Sequence, residues 1–241
     1  LGIDPKDMAV VSIMPCTAKK FEVGREDQSA AGVPDVDIAL TTRELARMIQ
    51  TAGLDFVNLP DGDYDAPLGI DTGAGLIFGA TGGVMEAALR TAADWLTGGN
   101  ATGEALDFKE VRGTEGIKEA TYTVGGLTLK VAVCSGLANA KKVLRAVKEG
   151  KADYQFIEIM ACPGGCVNGG GQPFQPASVR NFTDLRALRA QGLYRTDAKM
   201  ELRKSHENPG IKKLYEEFLG KPGSHVAHEV LHTTYVKRPK Y

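Results

Sequence analysis

The sequence is poor in cysteine. Four thiols occur in 241 residues, at Cys16, Cys134, Cys162 and Cys166. They are too few and too badly placed for a disulfide framework. Charge of one sign is missing too. Lys and Arg number 29 against 30 Asp and Glu, a net charge of -1, so nothing argues for a nucleic-acid or membrane-surface partner. No apolar run approaches the roughly 18 residues of a membrane span. The first residue is not methionine. The chain opens Leu1-Gly2-Ile3-Asp4-Pro5, a turn that feeds directly into a strand. The expectation is a fragment or one piece of a longer polypeptide, cytoplasmic, with no targeting segment in these residues. The remainder is ordinary: 43% hydrophobic and 24% charged, enough to bury a core as one large domain or two lobes.

Against this plain background one stretch stands out, Met160-Ala161-Cys162-Pro163-Gly164-Gly165-Cys166-Val167-Asn168-Gly169-Gly170-Gly171-Gln172-Pro173. It follows an apolar strand-like run, Phe156–Met160. Each glycine in a helix interior costs about 1 kcal/mol relative to alanine, so a helix is excluded here. The stretch reads as a tight loop at a strand end, with backbone amides free to approach a ligand. Thiolates plus exposed amides suit an anionic iron–sulfur cluster. A structural zinc loop would need a second short-spaced pair of Cys or His ligands, and only one cysteine pair of that kind is present. The remaining alternative is a glycine-rich turn with incidental thiols.

A second stretch, Met14-Pro15-Cys16-Thr17-Ala18-Lys19-Lys20-Phe21-Glu22, also ends a strand-like run, Met8–Ile13. Together the two closely resemble the second and third cluster-binding signatures of the iron-only ([FeFe]) hydrogenases, MPCxxKxxE and MACxGGCxxGGGQP, without a departure. The stretch Phe78-Gly79-Ala80-Thr81-Gly82-Gly83-Val84-Met85-Glu86 is similar to that family as well. So is the tail, from Ser205-His206-Glu207-Asn208 through Ala227-His228-Glu229. The family's first signature, TSCCPxW, is absent. That signature supplies another cluster ligand and a proton-relay cysteine.

The resemblance implies a [4Fe–4S] cubane bridged to a two-iron unit carrying CO, cyanide and a dithiolate. By position Cys166 resembles the bridging ligand, with Cys16 and Cys162 as two further ligands. Phe78, Gly164 and Gly165 are expected against the cofactor. The counterpart of Lys19 donates to an anionic diatomic ligand. Met14 and Met160, each two residues before a cysteine, suit the wall of a dry metal pocket, because thioethers are soft and apolar. Glu22 is a candidate acid or base, and equally a solvated loop glutamate. The implied reaction is the reversible reduction of two protons to H2. A ferredoxin-like carrier would exchange the electrons, and the missing N-terminal part or a second chain would complete the site. Rival readings are a non-catalytic iron–sulfur relative of the cluster-assembly kind and a regulatory hydrogenase that senses H2. Cys134 lies outside every signature. It is either a substitute fourth ligand or a small core residue.

Periodicity and punctuation predict an α/β fold: a parallel or mixed sheet flanked by helices, with a helical C-terminal segment. Strands are expected at Met8–Ile13, buried and parallel, and at Val36–Leu40 and Tyr154–Met160. Ala120–Val124 and Leu127–Cys134 flank Gly125-Gly126, a two-residue hairpin signal. Thr41 and Glu44 form a capping-box pattern for a helix over Thr42–Ala52. Leu54–Gly75 reads as a long surface excursion, and Phe108–Arg112 as the start of a β region. Further helices are expected over Val84–Leu96, Asn139–Glu149, Asn181–Ala190, Ala198–Lys204 and Pro209–Leu219. The domain reading is a cluster-binding α/β region over 1–176 and a helical segment over 177–241 that packs on it. Near the end, His228-Glu229-Val230-Leu231-His232 matches the zinc-protease pattern H-E-x-x-H. A catalytic zinc needs a third ligand, for which His225 is the nearest candidate; otherwise this is a docking helix with polar edges.

Overall fold

A computed structural model describes residues 2–65, 70–99, 101–235 and 237. In chain order the elements are β1 (Val11–Met14), α1 (Lys19–Glu22), β2 (Ile38–Thr41), α2 (Thr42–Thr51), α3 (Gly73–Ile77) and α4 (Gly83–Leu96). There follow β3 (Ile117–Val124), β4 (Leu127–Ser135), α5 (Leu137–Lys148), β5 (Phe156–Met160), α6 (Ala177–Arg180), α7 (Leu185–Asp197), α8 (Pro209–Leu214) and α9 (His225–Leu231). The fold is α/β with a mixed sheet, as the patterning predicts.

The strands form two sheets. β1 and β2 pair in parallel, from Val11 opposite Ile38 to Met14 opposite Thr41. β3 and β4 form the predicted hairpin, turning at Gly125 and Gly126, whose φ values of 55° and 81° are those of a primed turn. β5 adds in parallel to β4 and ends with Met160 opposite Ser135. β4 is central and buried on both faces. Val131 and Val133 pack with Met85 and Leu89 of α4, while Ala132 and Cys134 pack with Ala140 and Val143 of α5. Burial on both faces explains why the sequence of β4 loses its alternation beyond Lys130.

β1 departs from the expectation of a buried strand. Val11 and Ile13 are 47% and 48% exposed, and among the described residues nothing covers that face. The helix after β2 is capped as predicted. Thr41 Oγ1 accepts from the Glu44 amide at 3.2 Å, and the Glu44 carboxylate accepts from the Thr41 amide at 2.8 Å.

Three other expectations are corrected. Phe108–Arg112 starts no strand; Lys109–Val111 is a 3-10 turn that brings Val111, fully buried, into the core beside Phe108. Ala198–Lys204 is not helical. The Leu202 carbonyl instead accepts from the Gly73 amide at 2.8 Å, while Arg203 and Lys204 reach buried carboxylates. The helix expected over Asn181–Ala190 starts later and runs further, as α7 over Leu185–Asp197, because the Asp184 side chain accepts from the amides of Arg186 and Ala187 and caps it there; the short α6 ends before Asn181. Within the excursion over Leu54–Gly75, residues 66–69 lie outside the described residues, and its end already belongs to α3.

Candidate metal centre

Both cysteine stretches follow the C-terminal ends of parallel strands, the usual position of sites in open α/β sheets. Cys16 follows β1, and Cys162 and Cys166 follow β5. The strands lie in different sheets, so the loops themselves must bring the sites together. Their backbones do so. The Gly171 amide donates to the Pro15 carbonyl at 3.2 Å, and the Arg43 amide, in the first turn of α2, donates to the Gly171 carbonyl at 3.3 Å. The Arg43 guanidinium adds bonds to the carbonyls of Gly170 and Gln172, at 2.8 and 2.7 Å, and stacks over the Phe174 ring.

The third stretch singled out in the sequence joins the same assembly. The Thr81 amide donates to the Gly164 carbonyl at 3.1 Å, and the Val167 amide donates to the Gly79 carbonyl at 2.9 Å. This closeness is why glycine is required. A Cβ at Gly169 would lie 1.8 Å from the Pro15 oxygen, and one at Gly165 would lie 2.6 Å from the Thr81 nitrogen. Gly165 also sits at φ 97°, the left-handed region that disfavours any side chain. Gly164, likewise left-handed, packs on the aliphatic stem of Arg186. The two glycines thus press on protein atoms with their Cα positions, a role that composition alone does not separate from ligand approach.

The three thiols share one electrostatic site. The Cys166 pKa is pushed up by desolvation first, then by Cys16 and Cys162, while the Lys19 ammonium works in the opposite direction. Desolvation acts although Cys166 itself reaches solvent. The sulfurs do not all lie within 4.8 Å of one another. The raised Cys166 pKa is what a bound cationic metal core reverses, since coordination deprotonates a thiol outright. A further sign of fit is Thr81. Its hydroxyl is buried and has no hydrogen-bond partner among the described residues, in the segment that packs on Gly165.

The other candidates are placed as follows. Lys19 opens α1 and pairs with Glu22, both about one-third exposed. Lys20 points elsewhere, donating to the Ala39 carbonyl at 2.8 Å and pairing with Glu44 at 2.9 Å. Met14 and Met160 are half-buried at the ends of their strands. Phe78 is 45% exposed and lines an apolar surface groove along α4 with Val84, Ala88 and Trp95. Cys134 is fully buried in the core against α5, where desolvation raises its pKa; it is a core residue. The rings of His228 and His232 lie 4.5 Å apart, tilted by 51°, and His225 reaches Glu229 at 3.8 Å on an exposed surface. They form no three-ligand group. The one such group among the described residues is Asp94, His206 and Glu207, and there the Lys204 ammonium already sits 2.9 Å from Asp94 and 2.7 Å from Glu207.

Comparison with known proteins decides the family. The family described as "Iron only hydrogenase large subunit, C-terminal domain" matches residues 2–170. This chain belongs to the iron-only hydrogenase family. The family described as "Iron hydrogenase small subunit" matches residues 183–238. The NADP-reducing hydrogenase subunit HndD of Solidesulfovibrio fructosivorans is 51% identical over 100% of this chain and 40% of its own length. Iron hydrogenase 1 of Clostridium pasteurianum is 47% identical over 98% of this chain and 41% of its own. A solved [FeFe]-hydrogenase, a variant of HydA1 from Chlamydomonas reinhardtii, superposes with a TM-score of 0.76 at 42% identity, covering 98% of this chain and 64% of that one. The protein NAR1 of Arabidopsis thaliana is more distant, at 36% identity over 98% of this chain and 51% of its own. The chain thus spans about two-fifths of the hydrogenase relatives first matched.

The two parts matched by the hydrogenase families are joined by buried charge. Arg90 of α4, fully buried, binds Asp197 at 2.7 and 2.8 Å and Glu86 at 2.8 Å. Arg203 binds Asp197 and Asp107, and His206 meets Asp94 at 2.8 Å. Sequence reading gave these residues no role, although Glu86 and His206 lie in stretches it singled out, and it passed over Arg43, Lys118 and Glu158 as well. One signal was available: Glu158 is a charge inside an apolar strand, and a buried charge needs a reason.

Proposed function

We propose that this chain is the cluster-binding part of a hydrogenase that interconverts protons and H2. The observation that carries the reading is the joint placement of Cys16, Cys162, Cys166 and Lys19 within one electrostatic site. Cys16, Cys162 and Cys166 would hold a [4Fe–4S] cubane joined to a two-iron unit with CO, cyanide and dithiolate ligands. When bound, the irons supply the electron transfer and the bond chemistry of H2. The chain's own residues do the rest. The three thiols bind. Lys19, with Glu22 as its counter-charge, offers an N–H donor for an anionic ligand of the two-iron unit. Met14 and Met160 present soft apolar groups that exclude water without competing as strong ligands. Gly164 and Gly165 let the cysteine turn close on the 79–82 segment that follows Phe78.

The reading also supplies a reason for the exposed face of β1. A strand of a parallel sheet is normally buried on both sides, and its apolar face runs directly toward Cys16. The remaining cubane ligand and the cover for this face would come from polypeptide outside the 241 residues, on the same or a second chain. A ferredoxin-like carrier would exchange electrons. The division near residue 176, with the following segment docked by the Arg90–Asp197 network, belongs to the same proposal.

A second reading is favoured by the matches to NAR1 and, at 29% identity, to the cytosolic iron-sulfur assembly component 3 of Mus musculus: an iron–sulfur relative of the cluster-assembly kind, with these cysteines and no two-iron unit. H2 sensing without sustained turnover is a third. The test is anaerobic preparation of the protein that contains this chain. Metal analysis, infrared spectra and H2 evolution from a reduced low-potential carrier are then measured. Iron with CO and cyanide bands and turnover is the expected result. Iron without those bands favours the NAR1-like reading, bands without turnover favour sensing, and zinc without iron sinks the cluster assignment.

A further inference from the structure

Helix α4 has an unusual start. Its N-cap residue is Gly82, with φ 97° and no side chain to cap the helix. No other residue fits, because a Cβ there would lie 1.9 Å from the Val111 carbonyl oxygen. The first amides of a helix need partners, and buried ones need them most. They are found 73 and 76 residues away in sequence. The Glu158 carboxylate accepts from the Gly82 amide with Oε1 at 2.6 Å and from the Met85 amide with Oε2 at 2.7 Å. Glu158 lies on β5, four residues before Cys162, and is 5% exposed.

Lys118 of β3 closes the other side. Its Nζ donates to the Thr81 carbonyl at 3.1 Å and to the Gly113 carbonyl at 2.9 Å. The Thr81–Gly82 peptide is therefore gripped at both ends, its carbonyl by Lys118 and its N–H by Glu158. Burial pushes the Glu158 pKa up and the Lys118 pKa down, and each charge offsets part of that on the other. Such a pair is expensive to bury for a helix cap alone. What the gripped peptide does next supplies the reason. The Thr81 amide bonds the Gly164 carbonyl, and Gly79 accepts from Val167, one residue after Cys166.

We propose that Glu158 and Lys118 are positioning residues: a clamp that sets the 79–82 segment against the Cys162–Cys166 turn and thereby fixes the spacing of its two thiols. The clamp acts through backbone, so neither residue touches the reacting atoms. The inference rests on the cluster-binding reading of that turn, and its test separates the two.

The experiment compares the holoprotein with Glu158→Asp, Glu158→Gln and Lys118→Met. Glu158→Asp keeps the charge but is one methylene too short to reach both amides. Amide hydrogen exchange is measured at Thr81 and Val167, which bond neither clamp residue through their own N–H, and at α5, which packs on the opposite face of β4, as an internal control. Exchange at Thr81 and Val167 should rise about ten-fold or more, as expected for lost hydrogen bonds to a charged group, with α5 little changed. The electron paramagnetic resonance signal of the reduced cubane should shift in both Asp and Gln variants. Unchanged exchange, a rise equal to that of α5, or a signal shift in Gln alone would overturn the proposal, the last by assigning the effect to charge. Lys118→Met, read by the same exchange comparison, decides the matter if the Glu158 variants do not fold. A wild-type protein that binds no iron would sink the cluster reading, while the exchange data still decide the clamp.

Discussion

Lys19 and Lys20 are adjacent, carry the same charge and do different work. Lys20 is used by a carbonyl and by Glu44, both in the β2–α2 region. Lys19 acts on Cys166. Lys19→Met keeps most of the stem and removes the donor. It should lower H2 turnover by about 10²–10³-fold, the usual cost of one preorganised donor in an active site, with iron content unchanged. A fully active Lys19→Met protein would refute the role. Gly169→Ala tests the loop junction instead. Its Cβ would need space now held by the Pro15 oxygen, 1.8 Å away, so the two cysteine loops must part. The expected outcomes are a loss of about 1–3 kcal/mol from overpacking and a fall in bound iron per chain. Normal iron loading would show that the loops yield without separating the thiols. At this scale the signature residues were legible because thiols and glycines are rare and their spacing is chemical. The partners that hold the loops, Arg43 and Glu158, were not. An arginine on a helix carries no local mark of a carbonyl 127 residues away, and Glu158, a charge inside an apolar strand, signals burial without naming the amide 76 residues away that it serves.

Helix α4 shows what the sequence can say about an element. Its apolar positions and the glycines at both ends predicted its extent to within one residue. Its polar face was unreadable, because Glu86, Arg90 and Asp94 look like solvated charges and are all buried. They bind residues from the chain beyond Asp107, and that pairing is a tertiary fact. The same pairing unmade the helix expected over Ala198–Lys204: propensity is worth less there than satisfying Asp197 and Asp94. Removing one partner of a buried ion pair costs about 3–5 kcal/mol. Arg90→Met should fall toward the low end, since Asp197 keeps Arg203 and Glu86 keeps Arg112. The melting temperature should drop by roughly 6–12 °C for a domain of this size; an unchanged melting temperature would show that the network adds no stability.

The network also sets an acid limit. Burial raises the Asp197 pKa, but Arg90 and Arg203 outweigh it, leaving the carboxyl below its ordinary value. Lys204 and then His206 lower Asp94. A depressed folded-state pKa stabilises the fold above the unfolded value, near 3.9, and that stability is lost as pH falls toward the folded value. Urea titrations should therefore give a stability insensitive to these groups from pH 7 to about 5 and falling steeply below about 4. Asp197→Asn should flatten the acid limb. An acid limb identical to wild type would remove Asp197 from the account.

At the scale of the whole molecule, the proposed site draws three thiols from the described residues, which leave the apolar face of β1 uncovered. The proposed cubane has four irons, and Cys134, fully buried in the α5 core, is not placed to supply a fourth thiolate. Metal affinity and folding are coupled, so losing a ligand also weakens the loops that carry the rest. The 241-residue polypeptide, expressed alone, should take up iron and sulfide poorly and evolve no H2. Adding a polypeptide with a TSCCP-type signature should restore cluster loading and turnover together, and should protect Val11 and Ile13 from hydrogen exchange as the strand face is covered. Reconstitution with iron, sulfide and a synthetic two-iron complex, with and without that polypeptide, checks both parts. Full H2 production by the 241 residues alone would refute the requirement and force a non-cysteine ligand into the fourth position. Restored turnover without protection of β1 would place the completing segment on another face.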